Sequence, residues 1–423
     1  MAGPIVYDIT RLVTRMFNKT PNGIDRVDFA FAQHFLAKAA TTGCLMSFSG
    51  PRQFSRAASS DAVEGIGHHW GEADRPDEDI AFRQVRAWLL GAPTEPAIPK
   101  QIVRKRSGQF SGTLQWMRQH GVPNGASLTR HVPARSIYIN TSQFPLWIGS
   151  YFSWLDKRPD VKAVFFIHDL LPLERPEFFR QAELERHKKR LENLARFGAA
   201  AMTSSDITRE SLAAHMAHLG RSNLPILALP LPVSQIFLEE TEIDPALAAQ
   251  PYFVCCGTIE PRKNHLMLLH AWGELVRRFG PAAPKLVLIG NRGWENETTF
   301  NLLDRSLLLR NHVLEVSGLS TPALKKILKG ARALLMPSFA EGFGLPIVEA
   351  MATGVAIIAS DIPIFREIGD ERMIRLSPLA GEQWVDAIAQ CTQSMPRSDP
   401  ALGKPPMTAP AYFAQIDNFI AGL

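Results

Sequence analysis

Residues 337–360 read PSFAEGFGLPIVEAMATGVAIIAS, and this stretch decides the fold class. The apolar run Ala333–Met336 leads into it as a short buried strand, and Val355–Ala359 closes it as another. Between them a glycine-bearing loop gives way to helix-period residues, with Pro346 where a first helical residue is pre-organised. Strand, glycine loop and helix start together form an anion site, because the first N–H groups of a helix have no partner within it. Gly342 and Gly344 let a phosphate approach the main chain with no Cβ in the way. Glu341 precedes the glycines, and Glu349 lies about 4.5 Å along the helix axis from Pro346. Taken alone, the two glutamates favour a plainer reading, a solvated loop acid and an acid stabilised by the helix dipole.

They are not alone. GTIEPRKNHLMLLHAW, residues 257–272, also follows an apolar strand and enters a helix, with Gly257 at the turn. Arg262 and Lys263 stand near that helix start, an unfavourable end for positive charge, which favours a bound anion. A third loop, IGNRGWENE at 289–297, closes another strand with Gly290, Arg292 and Gly293. Three loops at the C-terminal edge of one parallel sheet match the crevice where open α/β sheets bind ligands.

The same alternation runs through the rest of the chain. Pro4–Tyr7, Ser136–Ile139, Ala163–Ile167, Ala200–Thr203, Tyr252–Cys256 and Lys285–Ile289 read as strands. Gln181–Phe197, His265–Phe279, Pro322–Gly330 and Pro346–Ala352 read as helices between strands. Strands separated by helices predict parallel sheets covered on both faces, here as two doubly wound, Rossmann-like α/β domains. The proline-rich run LPILALPLP at 224–232 and the acidic segment after it mark a hinge near 232–249. The expected domains are 1–235 and 250–400. An amphipathic tail at 411–423 is expected to pack back on the first, and residues 71–79 read as a surface loop.

Composition narrows the class. With 423 residues, 46% of them hydrophobic, the chain is long enough for two cores. No apolar run reaches spanning length and the N-terminus lacks a signal-peptide pattern, so a cytoplasmic location is expected. The four cysteines have no metal-ligand spacing and read as packing residues. Residues 1–235 carry 29 Lys+Arg against 21 Asp+Glu, and the remainder 17 against 20. An excess confined to one half points to an anionic partner there without choosing it.

EGFGLPIVE resembles the E-x7-E motif of the retaining glycosyltransferase family 4, which has the GT-B fold of two Rossmann-like domains facing across a cleft. GTIEPRKN is similar to that family's donor-phosphate segment, in the form found in a mannosyltransferase-like subgroup, and HDLLPLERPEFF at 168–179 to its N-terminal-domain motif. The resemblance implies a nucleotide-diphosphate sugar donor, retention at the anomeric carbon, and neither a cofactor nor a divalent metal. It gives Glu349 the ribose hydroxyls, Glu341 the transferred sugar, and Arg262 and Lys263 the diphosphate. Gly342, Phe343, Gly344, Leu345, Gly257, Gly290 and Arg292 complete the donor side. Many relatives carry arginine after the first glycine, where this chain has Thr258.

In the first half, His168 and Asp169 end the run AVFFI at a strand's C-terminal edge. The resemblance places His168 on the donor sugar, and Asp169 reads as a cap or positioning residue. TPNGIDRVDFAFAQHF, residues 20–35, resembles the family's first glycine loop. Asn22-Gly23 is a turn able to take positive φ, Gly23 lets the loop approach diphosphate or acceptor, and Arg26 reads equally as site cation and surface residue. YINTSQFPLW, with Asn140, is a further acceptor-side candidate. The basic, amphipathic stretch 100–120 is either a solvated face or a peripheral contact with anionic membrane at the inner face of the plasma membrane. The expected activity is transfer of a hexose, first mannose from GDP-mannose, to a glycan or lipid-linked saccharide of a bacterial-type surface polysaccharide. A glycoside phosphorylase of the same architecture and a non-catalytic anion-binding scaffold are the alternatives, and no nucleic-acid partner is expected.

Overall fold

The computed structural model describes residues 3–16, 21–47, 50–70, 75–92, 125–393 and 403–423. Two compact units emerge. The first is drawn from Met1–Gly71, Ile102–Leu231 and Pro410–Leu423, the second from Glu72–Gln101 and Pro232–Ala409. The basic segment 100–120 lies outside the described residues, as do 71–74 and 394–402.

In the first unit the described strands are β1 (Ile5–Asp8), β2 (Thr41–Ser47), β3 (Gly50–Phe54), β4 (Ala126–Ser127), β5 (Ile137–Asn140), β6 (Lys162–Ile167), β7 (Gly198–Thr203) and β8 (Ile226–Ala228). They form one sheet in the order β4-β3-β2-β1-β5-β6-β7-β8. From β2 to β8 neighbours are parallel, whereas β3 and β4 turn back antiparallel at the edge. The expectation of a parallel sheet needs that correction, since the short link between β2 and β3 has room only for a hairpin. The core is apolar and aromatic, with Tyr138, Phe152 and Phe165 fully buried.

The second unit contains β9 (Tyr252–Cys256), β10 (Lys285–Ile289), β11 (Val313–Val316), β12 (Ala333–Met336), β13 (Ala356–Ser360) and β14 (Ile374–Leu376). Their order, β11-β10-β9-β12-β13-β14, is wholly parallel. This is the 3-2-1-4-5-6 pattern of a doubly wound nucleotide-binding sheet, whose strand order reverses between β9 and β12. Trp272 and Trp384 anchor the core, and each buried indole N–H donates to a carbonyl, Pro284 O and Ser377 O, both at 2.9 Å.

Two segments leave their sequence neighbours. The helix Ile80–Leu89 belongs to the second unit and buries Phe82, Val85, Trp88 and Leu89. Asp79 caps it by accepting from Ala81 N at 2.8 Å, and its other oxygen accepts from Ser320 N at 2.7 Å, at the start of the helix Thr321–Gly330. Lys285 Nζ donates to Trp88 O at 2.6 Å, and Arg86 pairs with Asp244 at 2.8 Å. A first domain running continuously from 1 to 235 is corrected accordingly: an amphipathic helix joins whichever core supplies its apolar and capping partners. At the other end, the helix Ala409–Ala421 packs on the first unit, burying Tyr412, Phe413, Ile416 and Ile420. Phe31 meets the rings of Tyr412 and Phe413 edge-on, and Asp417 accepts from Lys38 and lies 3.1 Å from His34 Nε2.

Among the described residues, no helix is long and apolar enough to cross a membrane.

Candidate functional site

In the second unit the switch point gathers three loops. The turn after β9 is Gly257, whose φ of 143° belongs to glycine, and a Cβ there would lie 3.2 Å from Lys263 Cε. The Lys263 chain therefore rests directly on the Gly257 backbone. Main-chain bonds fasten this loop to the one after β10: Ile259 N donates to Asn291 O at 2.9 Å and Gly293 N to Ile259 O at 3.0 Å. Asn264, left-handed at φ 55°, donates its amide to Pro337 O at 3.2 Å and Pro378 O at 2.9 Å. Phe339 N donates to Arg262 O at 2.8 Å, which ties in the third loop.

Four charged side chains interlock there. Glu341 accepts from Lys263, from Arg262 Nη1 at 2.7 Å and from Ser338 Oγ at 2.7 Å, with its side chain only 5% exposed. Arg262 is shared, because its Nε also lies 2.6 Å from Glu260, which is 2% exposed. Burial by itself would raise the Glu341 pKa, but the adjoining cations and hydrogen bonds outweigh it and hold the group at about 2. Burial raises that of Glu260 despite Arg262. Arg262 is divided between two carboxylates and clips one loop to another, also donating to Ala340 O at 3.0 Å.

Gly344, at φ 107°, caps the helix Leu345–Ala352, so Leu345 rather than Pro346 is the first helical residue. Pro346 has no N–H to orphan, which suits this turn. Gly342 and Phe343 complete the loop, with Phe343 7% exposed, and Glu349 follows inside the helix, 2% exposed. Gly290 fits only as glycine, since a Cβ would meet Gly257 O. Arg292 pairs with Glu315 at 2.7 Å and Asp304 at 2.9 Å and covers the Phe300 ring.

Sequence reasoning passed over Glu260, Ser338, Asn264 and His265. Ser338 stood three residues before Glu341 in the stretch that decided the fold, yet a serine in a loop carries no signal until its partner is placed. His265 is 1% exposed, and neither ring nitrogen has a hydrogen-bond partner among the described residues. Burial first, then Lys263, push its pKa down to about 3, so the imidazole is neutral.

The first unit has its own polar cluster, at the switch between β1 and β5. Asp8 at the end of β1 accepts from Tyr138, from Asn140 Nδ2 at 2.9 Å and from Thr10 N at 2.8 Å. Asp28 accepts from Tyr7 at 2.6 Å and Thr141 Oγ1 at 2.7 Å, and burial pushes its pKa up to about 7. His168 lies 2.7 Å from Thr141 O. A carbonyl only accepts, so Nε2 carries the proton, and burial, which takes the pKa to about 3, leaves Nδ1 as an acceptor. Asp169 accepts from Leu171 N at 3.2 Å. The turn expected at Asn22-Gly23 takes another form. Gly23 opens the helix Gly23–Leu36 without positive φ, because Asn22 and Asp25 cap each other reciprocally at 2.9 and 3.0 Å. Arg11 Nε fixes Asp25 at 2.7 Å, while Arg26, one residue on, is half-buried.

Residues 239–390 match the family described as Glycosyl transferases group 1. The chain is 29% identical over 229 residues to the serotype-specific mannosyltransferase WbdA of Escherichia coli, covering 49% of this chain and 27% of that protein. It is also 29% identical over 239 residues to the O-antigen chain mannosyltransferase B of Escherichia coli, covering 54% of this chain and 59% of that protein. The chain therefore spans less than two thirds of the length of these relatives. In fold it is similar to Anabaena HepE solved with UDP-glucose, at 15% identity and a TM-score of 0.60 over 99% of both chains. With Lys263, Glu341 and Glu349 all inside the matched stretch, residues 239–390 belong to the group 1 glycosyl transferases, in a chain of GT-B fold.

Proposed function

We propose that the protein is a retaining hexosyltransferase, moving a sugar from a nucleotide diphosphate to a glycan or lipid-linked saccharide in surface-polysaccharide synthesis. The observation that carries this reading is Lys263 resting on Gly257 at the switch point, beside the glycine-capped helix start at Gly344. A cation and a helix N-terminus together suit a diphosphate leaving group. Mannose from GDP-mannose is the first donor to test, since curated relatives at 29% identity are mannosyltransferases.

In this reading Lys263 neutralises charge as it develops on the departing phosphate, and Glu349 receives the ribose hydroxyls. Glu341, kept ionised by Lys263 and Arg262, supports positive charge at the anomeric carbon. His168 offers its Nδ1 lone pair to a sugar hydroxyl. Attack comes from the face of departure, with a donor phosphate oxygen taking the acceptor proton. No residue of the chain is assigned to a cofactor or metal. The test is release of GDP and UDP from a panel of activated sugars, followed by the anomeric configuration of the product. Release of neither nucleotide from any sugar, with or without saccharide acceptors, overturns the reading.

A further inference from the structure

Arg190 lies on the helix Gln181–Phe197, one turn before Asn193, which donates to Leu146 O at 2.7 Å and so fixes this helix against the loop after β5. Its guanidinium sits 5.0 Å from the centre of the Trp147 ring, and Arg186 approaches the same ring at 5.5 Å. Stacking on an aromatic face holds a guanidinium plane in a set orientation before any ligand arrives.

The side chain is only 12% exposed, yet its charge is poorly matched. Nη1 lies against the ring of His187, 2.7 Å from Nδ1 and 2.9 Å from Nε2. That imidazole is neutral, with burial taking its pKa to about 4, and its Nδ1 faces Glu183 O at 3.0 Å. Nε is buried and has no hydrogen-bond partner among the described residues. The nearest carboxylate, Glu183, stands 3.9 Å from Nη2 and is already engaged by Arg186. Asp169 contributes from further away, while Arg186 and Arg11 oppose it. A buried cation without a bonded anion is costly, and ordinary proteins pair it. The unengaged edge, Nε with Nη2, is the fork that grips carboxylate or phosphate side-on. Glu183 itself is 30% exposed and pairs with Arg186.

We propose that Arg190, set over the Trp147 ring, binds an anionic group, phosphate or carboxylate, carried by the acceptor. This rests on reading the first unit as the acceptor side. His168 and Asp169 are near enough to act electrostatically with Arg190, which puts the anion beside the residues assigned to the reacting sugar.

The test titrates the whole chain with inorganic phosphate, glucuronate and neutral glucose, following tryptophan fluorescence in the wild type and in W147F, R190K and R190Q. The expected result is a saturable, Trp147-dependent response to phosphate or glucuronate and none to glucose. R190Q should weaken it at least about tenfold and R190K by less, since lysine keeps the charge but loses the fork. A response to phosphate alone assigns a phosphorylated acceptor, and one to glucuronate alone an acidic sugar. An unchanged response in R190Q, or no Trp147-dependent response to either anion, overturns the proposal. GDP and UDP affinities on the same proteins separate the two claims. Nucleotide binding without anion binding defeats only this inference, whereas loss of nucleotide binding in the wild type defeats the donor reading.

Discussion

Arg262 Nη1 donates to Glu341 Oε2 at 2.7 Å, and the same guanidinium reaches Glu260 on its other side. A cation divided between two buried carboxylates has little attraction left for a third anion. Lys263, with one carboxylate partner, has more. Substituting Lys263 by alanine should weaken nucleoside diphosphate binding and lower turnover by about 10²–10³. Substituting Arg262 should leave nucleotide affinity within about threefold while turnover falls, because Glu341 loses its orientation. Calorimetry with GDP and UDP, then kinetics, checks the contrast; equal losses of affinity would show that Arg262 does hold phosphate.

Glu341 and Glu349 should separate in the same assays. Glu341→Ala is expected to lower kcat mainly, as an interaction that strengthens in the transition state, and Glu349→Ala to weaken nucleotide binding. Normal activity in both variants would remove them from the site.

Gly257→Ala tests the backbone beneath Lys263. At φ 143° the new methyl is strained and lies 3.2 Å from Lys263 Cε. A stability loss of about 1–3 kcal/mol is expected, together with weaker nucleotide binding. Denaturant midpoints and calorimetry report the two effects separately.

Acid sensitivity follows from the buried histidines. Burial takes the pKa values of His168 and His265 to about 3 and that of His187 to about 4, against 6.5 when unfolded. The folded chain therefore binds fewer protons than the unfolded one below pH 6.5, and stability falls from there toward pH 3. Glu341, at about 2 when folded and 4.5 otherwise, adds a loss below pH 4.5. Asp28 has the opposite sign. Its folded value of about 7 exceeds the ordinary 3.8, so its contribution declines as pH rises between them. The stability of Asp28→Asn relative to wild type should therefore improve from pH about 5 to about 8. Urea midpoints at both pH values check this, and a constant difference would contradict it.

The central strands were legible because a strand buried on both faces reads as an unbroken apolar run. Ala333–Met336 and Tyr252–Cys256 came directly from that signal. The edge strands were not, since Gly50–Phe54 and Ile374–Leu376 bury little and their sequences look like loop. Loop glycines and a helix start pointed to Gly257, Lys263 and Glu341, which the fold brings into contact. The ion pairs of Arg292 were not legible in its loop, because its partners Asp304 and Glu315 lie 12 and 23 residues away. The helix Ile80–Leu89 advertised an amphipathic face, but nothing in ten residues states which core will take it. Only Asp244, Lys285 and Ser320, all distant in sequence, answer that.

The helix Ala409–Ala421 bears on how the chain is made. It supplies Phe413, Ile416 and Ile420 to the first unit, each burial contributing about 1.5–3 kcal/mol. Against a domain stability of about 5–15 kcal/mol, that share is large. During synthesis, the first unit's residues up to Leu231 emerge early and must wait, incomplete, while Pro232–Ala409 of the second unit is translated. A nascent chain arrested once residue 408 has cleared the ribosome should carry a first unit that proteases still cut and a second unit they spare.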